Sequence, residues 1–192
     1  MSESPDEARL VALARATPWF MDALAHVRAL RLGAWCVGAG AVRNLVWDAL
    51  HGHPAPSALS DIDVVHFDAV DLSSERDARL EQGLRATAPS MPWEVTNQAG
   101  VHLWFERHFG HAVEPLASLA DAVASWPEFA TCVGVWLDDG DALHVIAPHG
   151  LDDLFAMEVR RNPARVSVAT YRERVASRRY AERWPRVRVV PA

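Results

Sequence analysis

Two acids two positions apart, Asp61 and Asp63, are the residues of this chain best placed to do chemistry. They open the run Ser60-Asp61-Ile62-Asp63-Val64-Val65-His66-Phe67, which reads as a strand. Alternation along a strand puts Asp61, Asp63, Val65 and Phe67 on one face and Ile62, Val64 and His66 on the other. The two carboxylates then point the same way, about 7 Å apart. Unpaired, they repel each other. A divalent cation removes that repulsion, and Mg²⁺ commonly joins one or two carboxylates to phosphate oxygens. Two incidental acids at a strand start are the plainer reading, since Asp is common at element ends. What precedes them tells against it.

The preceding segment is Trp35-Cys36-Val37-Gly38-Ala39-Gly40, a short apolar run ending in glycines, as a buried strand entering a tight turn would. From Ala41 the period becomes helical. Val42, Leu45, Val46, Ala49 and Leu50 form an apolar stripe, Asn44, Asp48 and His51 a polar face, and Gly52 a stop signal. A glycine turn feeding a helix lets backbone N–H groups approach a phosphate, and the helix dipole favours the negative charge. The turn at Gly38, Ala39 and Gly40 is therefore a candidate phosphate-binding turn.

The order Gly38-Ala39-Gly40-Ala41-Val42-Arg43-Asn44, then Asp61-Ile62-Asp63, resembles the nucleotidyltransferase superfamily of DNA polymerase beta and the tRNA CCA-adding enzymes. Further blocks resemble a bacterial family of small nucleotidyltransferase-like proteins of unassigned substrate: Trp93-Glu94-Val95-Thr96-Asn97-Gln98, Trp126-Pro127-Glu128, the run from Ala147 to Phe155, and Trp184-Pro185. The resemblance implies the minimal nucleotidyltransferase fold and metal-dependent transfer of an NMP group from an NTP to an unidentified acceptor. It implies Asp61 and Asp63 as ligands of one or two Mg²⁺ ions, and Glu94 as the third carboxylate of the metal site. It implies Gly38, Ala39, Gly40, Arg43 and Asn44 as nucleotide-binding residues, Arg43 helping to neutralise phosphate. The alternative is a catalytically inactive protein that keeps the fold and binds a nucleotide or a partner. CCA addition itself is not expected, because the roughly 100 residues after the acids are too few for the usual tRNA-binding helical domains, and net charge is negative.

The whole chain narrows the field. Half of its 192 residues are apolar and 23% are charged, which excludes a disordered chain and suits a single domain. Net charge is −6, and all 19 basic residues are Arg. This disfavours a general nucleic-acid binder, and the lack of Lys excludes a P-loop. A Rossmann fingerprint fails as well, because Arg43 stands where the third glycine belongs. No apolar run approaches about 18 residues, so no membrane span is expected. The acidic start Met1-Ser2-Glu3-Ser4-Pro5-Asp6-Glu7 does not resemble a signal peptide. Cys36 and Cys132, each in an expected strand, read as buried thiols of a reducing cytosol, so a cytoplasmic protein is expected.

The elements that must hold the site follow from pattern. The fold class is α/β (α+β), a mixed sheet covered by helices. Residues 1–33 supply two helices broken near Thr17-Pro18, residues 34–147 the core, and residues 148–192 C-terminal helices. Helices are expected from Ser73 or Ser74 to about Ala88, over Val101–Phe109, Leu116–Ser125 and Leu151–Val159, and finally over Thr170–Arg183. Strands are expected at Trp93–Gln98, Thr131–Leu137 and Ala142–Ala147, the last two joined by an acidic turn. Asn97, Gln98 and His102 are candidate substrate contacts. Arg160, Arg161 or Arg165 would hold triphosphate, while the Arg-dense last helix reads as a solvated, salt-bridged face.

Overall fold

The structure is a computed structural model that describes residues 4–192; the acidic start Met1 to Glu3 lies outside the described residues. Two helices come first, α1 (Pro5–Arg15) and α2 (Pro18–Ala29). Ser4 caps α1, its Oγ accepting the Glu7 N–H at 3.1 Å, and each helix opens on a proline whose missing N–H costs nothing there. Their stripe of Leu10, Ala14, Phe20, Leu24 and Val27 is fully buried against the sheet.

The centre is a five-stranded mixed sheet of order β3-β2-β1-β4-β5. Strand β1 (Trp35–Gly38) runs into α3 (Ala39–His51), which Gly52 ends at φ 65°. The chain returns as β2 (Ile62–His66), antiparallel to β1. Helix α4 (Ser74–Thr87) then crosses to β3 (Trp93–Asn97), which is parallel to β2, as a crossover helix requires. Helices α5 (His102–Phe109) and α6 (Leu119–Ala124) precede the hairpin of β4 (Gly134–Leu137) and β5 (Leu143–Ile146), and β4 pairs with β1. The C-terminal part holds α7 (Asp152–Phe155), β6 (Glu158–Val159), α8 (Val168–Arg178), α9 (Tyr180–Arg183) and β7 (Arg188–Val189). No helix of the described residues is long and apolar enough to cross a membrane.

The sheet's two faces differ. One carries Trp35, Val37, Ile62, Val64, Trp93 and Val95 into the main core with α1, α2 and α3. The other carries Cys36 and Val65 into a smaller cluster under α6, with Leu119, Val123 and Trp126. Asp63 shares parity with Val65, so it lies on this thinly covered face.

The structure corrects several boundaries. The helix expected from Leu116 starts at Leu119, because the Ser118 Oγ accepts the Asp121 N–H at 3.0 Å and fixes the start. The strand expected from Thr131 starts at Gly134; Phe129–Thr131 is a 3₁₀ turn, so Cys132 is buried but not in a strand. The helix expected to Val159 stops at Phe155. Met157 turns left-handed at φ 57°, and Glu158–Val159 instead pairs in parallel with Arg188–Val189, a small sheet no periodicity announced. The last expected helix breaks at Arg179, also left-handed at φ 49°. Finally, the polar face of α3 is not solvated. Asn44 and Asp48 are buried beneath the C-terminal segment, and the Asp48 carboxylate accepts the Ser57 N–H at 2.7 Å and the Trp184 Nε1–H at 2.8 Å.

Candidate active site

Parallel pairing puts Asp63 opposite Glu94 on neighbouring strands, which lie about 4.8 Å apart. Asp61 stands just before β2, with the Ser60 Oγ–H donating to its Oδ2 at 2.8 Å. Two cavities meet at these residues. The first, of ≈ 240 Å³, is lined by Ala39, Gly40, Arg43, Asn44, Asp61 and Asp63 on one side and by Arg174, Arg178 and Arg183 on the other. The second, of ≈ 280 Å³, is lined by Asp63, Glu94, Gln98, Trp104, Phe109 and Arg174, among others. Asp63 and Arg174 thus belong to the wall between them. A larger cavity of ≈ 650 Å³, beside Arg28, Trp35 and Trp136, shares no lining residue with either; its acids are Asp138 and Asp139 of the hairpin turn, and Asp138 is already held by His144 and by the Gly140 and Ala142 N–H groups.

Electrostatics mark the same place. Asp63 is pushed up to about 7, first by burial, then by the negative charges of Asp61 and Glu94, with the Gly40 amide pulling the other way. Burial likewise raises Glu94, with Asp61 adding to the effect. Arg43 is held below its ordinary value by burial, with Arg178 and Arg183 among the smaller causes. Its guanidinium lies 5.7 Å from the Trp47 ring and 5.4 Å from those of Tyr180 and Trp184. It donates from Nη2 to Asn44 Oδ1 at 2.7 Å, while the Asn44 Nδ2 is buried with no partner. Among the described residues, neither Asp61, Asp63 nor Arg43 forms an ion pair, although all three line one cavity.

The glycine turn divides its work. A Cβ at Gly38 would lie 2.5 Å from Trp126 Cη2 and 3.0 Å from the Val133 carbonyl, so this glycine admits an indole, and it does not line the first cavity. A Cβ at Gly40 would lie 3.6 Å from Arg43 Nη2 and 3.9 Å from Asp61 Oδ1, which places turn, arginine and acid together. Ala39 sits at φ 49°, a strained value for a residue with a Cβ, and its N–H donates to the Val133 carbonyl at 3.2 Å.

Other expectations fare differently. Arg43 lies off the apolar stripe of α3 yet is buried, with Tyr180 of α9 packed against it and against Trp47. Asn97 is a structural clamp: its Nδ2 donates to the Asp68 and Asp71 carbonyls, and its Oδ1 accepts the Asp68 and Ala99 N–H groups. Gln98 lines the second cavity, whereas His102 lines neither and leaves its Nδ1 buried without a partner. Arg160 pairs with Asp153 and Arg161 donates to the Val166 carbonyl. Arg165 donates to the Glu114 carbonyl and belongs to the second cavity, so none of the three lines the first. The arginines that do are Arg174, Arg178 and Arg183. Sequence reasoning gave them to solvent, although Arg174 and Arg178 stand i, i+4 on one helix face. It also missed Glu128, which is buried and accepts from Arg174 Nε at 2.9 Å and Nη2 at 3.2 Å.

Among the described residues no three His, Cys, Asp or Glu side chains gather as a ready metal cage. Asp61 and Asp63 nonetheless fit a hard divalent cation. They are oxygen donors lining one cavity, and an ion completed by substrate phosphates needs only one or two protein carboxylates.

A nucleotidyltransferase family model matches residues 25–189. The chain belongs to the nucleotidyltransferase family. Among solved structures, this nucleotidyltransferase-family chain is similar to one described as revealing a CCA-adding enzyme head domain, at 28% identity and TM-score 0.79, covering 100% of this chain and 98% of that one. It is more distantly similar to a tRNA nucleotidyltransferase complexed with a primer tRNA and an incoming ATP analog (16% identity, TM-score 0.47, 82% and 43% covered). A tRNA-processing enzyme in an apo form stands at 14% identity and TM-score 0.48, with 94% and 44% covered. The chain spans less than half the length of those two longer enzymes. No curated protein matches it.

Proposed function

We propose that this chain transfers an NMP group from an NTP to an acceptor hydroxyl. The observation that carries the reading is the first cavity, which brings together a buried arginine and two acids, none of the three in an ion pair among the described residues. A nucleoside triphosphate with a divalent metal satisfies both. Arg178 and Arg183 grip the β- and γ-phosphates through charge-assisted hydrogen bonds, and Arg43, braced by its aromatic cage, supplies the positive floor. The unpartnered Asn44 Nδ2 is a further donor towards the phosphates. Asp61 and Asp63 would hold Mg²⁺, with Glu94 as the candidate further ligand; bound there, Mg²⁺ would neutralise phosphate charge and acidify the attacking hydroxyl.

The acceptor enters by the second cavity, since Asp63 and Arg174 lie between the two. Its hydroxyl oxygen attacks the α-phosphorus. A new P–O bond forms, the bond to the bridging oxygen of the β-phosphate breaks, and pyrophosphate leaves among the arginines. The hydroxyl proton passes to Glu94, whose raised proton affinity suits a base. Arg174, fixed by the buried Glu128, stabilises charge on the transferred group. A second reading, nucleotide binding without transfer, draws on one observation: the three carboxylates do not gather as a preformed cage.

Label on the α-phosphate decides between them. The protein, Mg²⁺, labelled NTP and a cell extract should yield labelled acceptor with the parent and none with Asp63→Asn. NTP binding without transfer would leave the second reading, and transfer by Asp63→Asn at the parent rate would overturn the site.

A further inference from the structure

The second cavity carries information about what it accepts. Its acidic end is Asp63 and Glu94, and its other lining charges are Arg165 and Arg174. Two acids and two arginines balance formally, and Arg174 is already paired with the buried Glu128, so the lining has no excess of positive charge, in contrast to the arginine excess of the first cavity. Trp104 and Phe109 stand at its rim, 38% and 49% exposed, so their rings are open to contact. Phe105 and Trp126 continue the aromatic wall inward, and the Arg165 guanidinium lies 5.5 Å from the centre of the Phe105 ring. Polar groups are few: Thr96, Gln98, Ser125 and Thr170.

From this lining we infer that the acceptor is a small, uncharged alcohol carrying a flat aromatic ring, of the nucleoside type. The inference rests on the transfer reading above. The balanced charge offers nothing to a polyanion or a polycation. Aromatic rings hold a planar group by stacking, and that contact tolerates different rings. The amide of Gln98 and the hydroxyls can read ring heteroatoms or sugar hydroxyls, as a mostly apolar pocket with a few polar groups does. A volume of ≈ 280 Å³ suits one ring and one sugar, not a chain of them. The hydroxyl end faces Asp63 and Glu94, and the ring lies towards Trp104.

The test is binding with adenosine as probe, by saturation-transfer NMR, in Mg²⁺ and a saturating non-hydrolysable ATP analogue that fills the first cavity. The ATP analogue is titrated separately beforehand. Adenosine should bind at least tenfold more tightly than glycerol. Trp104→Ala should weaken adenosine at least tenfold and leave the affinity for the ATP analogue unchanged. Leu103→Ala, a change at a 62% exposed neighbour outside the cavity, should alter neither. Adenosine no better than glycerol, or indifferent to Trp104→Ala, would overturn the inference. So would a short oligoribonucleotide that binds at least tenfold more tightly than adenosine and loses that advantage in salt, which would make the acceptor a nucleic-acid end. If the ATP analogue does not bind while Trp104 still governs adenosine, the transfer reading fails and the aromatic site stands.

Discussion

Arg43 shows how far a single side chain can be read from its neighbours. Its cation is desolvated among three aromatic rings, and among the described residues no acid forms an ion pair with it, Glu128 acting only from a distance. Burying such a charge costs stability, a cost that the proposed nucleotide would offset. Replacing it by Met keeps the volume and removes the charge. Arg43→Met should therefore melt at or above the parent temperature without ligand, yet lose about 1.5–3 kcal/mol of NTP binding, roughly tenfold to a hundredfold. Calorimetry and thermal melts read the two quantities apart. Asp63 carries the matching prediction in pH. Its carboxyl titrates near 7 in the folded chain against an ordinary value of 3.8. A raised acid is stabilising in its protonated form, so this contribution is full below about 4 and is lost as pH rises through about 7. The metal-free parent should lose melting temperature over that window relative to Asp63→Asn, in which the slope should flatten. Equal slopes in both proteins would remove the strain attributed to Asp63. The paired acids were legible in sequence because period-2 alternation fixes their common face. Arg43's cage was not, because its rings at Tyr180 and Trp184 lie far along the chain and reach α3 only by packing.

At the scale of elements, the β1–turn–α3 unit separates packing from the proposed binding site within three residues. Gly38→Ala would drive a methyl into the Trp126 ring and the Val133 carbonyl and should cost about 1–3 kcal/mol of stability. Gly40→Ala meets only ordinary contacts and sits in the first turn of a helix, so the fold should tolerate it. It nonetheless narrows the cavity beside Arg43 and Asp61, and NTP affinity should fall while melting temperature holds. The reverse pattern, a stable Gly38→Ala and an unfolded Gly40→Ala, would contradict this division. The β1, α3, β2, α4 and β3 elements were legible because their apolar periods are strong and glycine or proline punctuates them. The C-terminal elements were less so. Two-residue strands leave no period, and left-handed residues that are not glycine, Met157 and Arg179, give no warning in sequence.

At the scale of the molecule, the site is a junction. The sheet supplies the carboxylates and α3 the floor, and the C-terminal helices bring arginines from more than a hundred positions away. Asp48 joins these parts by accepting from both Ser57 and Trp184. The central claim is that Asp61 and Asp63 serve a metal–nucleotide complex and not the fold. The most direct test is the thermal stability of the parent and of the Asp61→Asn, Asp63→Asn double variant, each with and without Mg²⁺ and NTP. Without ligand the double variant should be as stable as the parent or more so, since two crowded charges are gone. With ligand at 100 times Kd the parent should gain about 2.7 kcal/mol and the double variant almost nothing. A double variant that is destabilised without ligand, yet gains the full shift with it, would contradict the account.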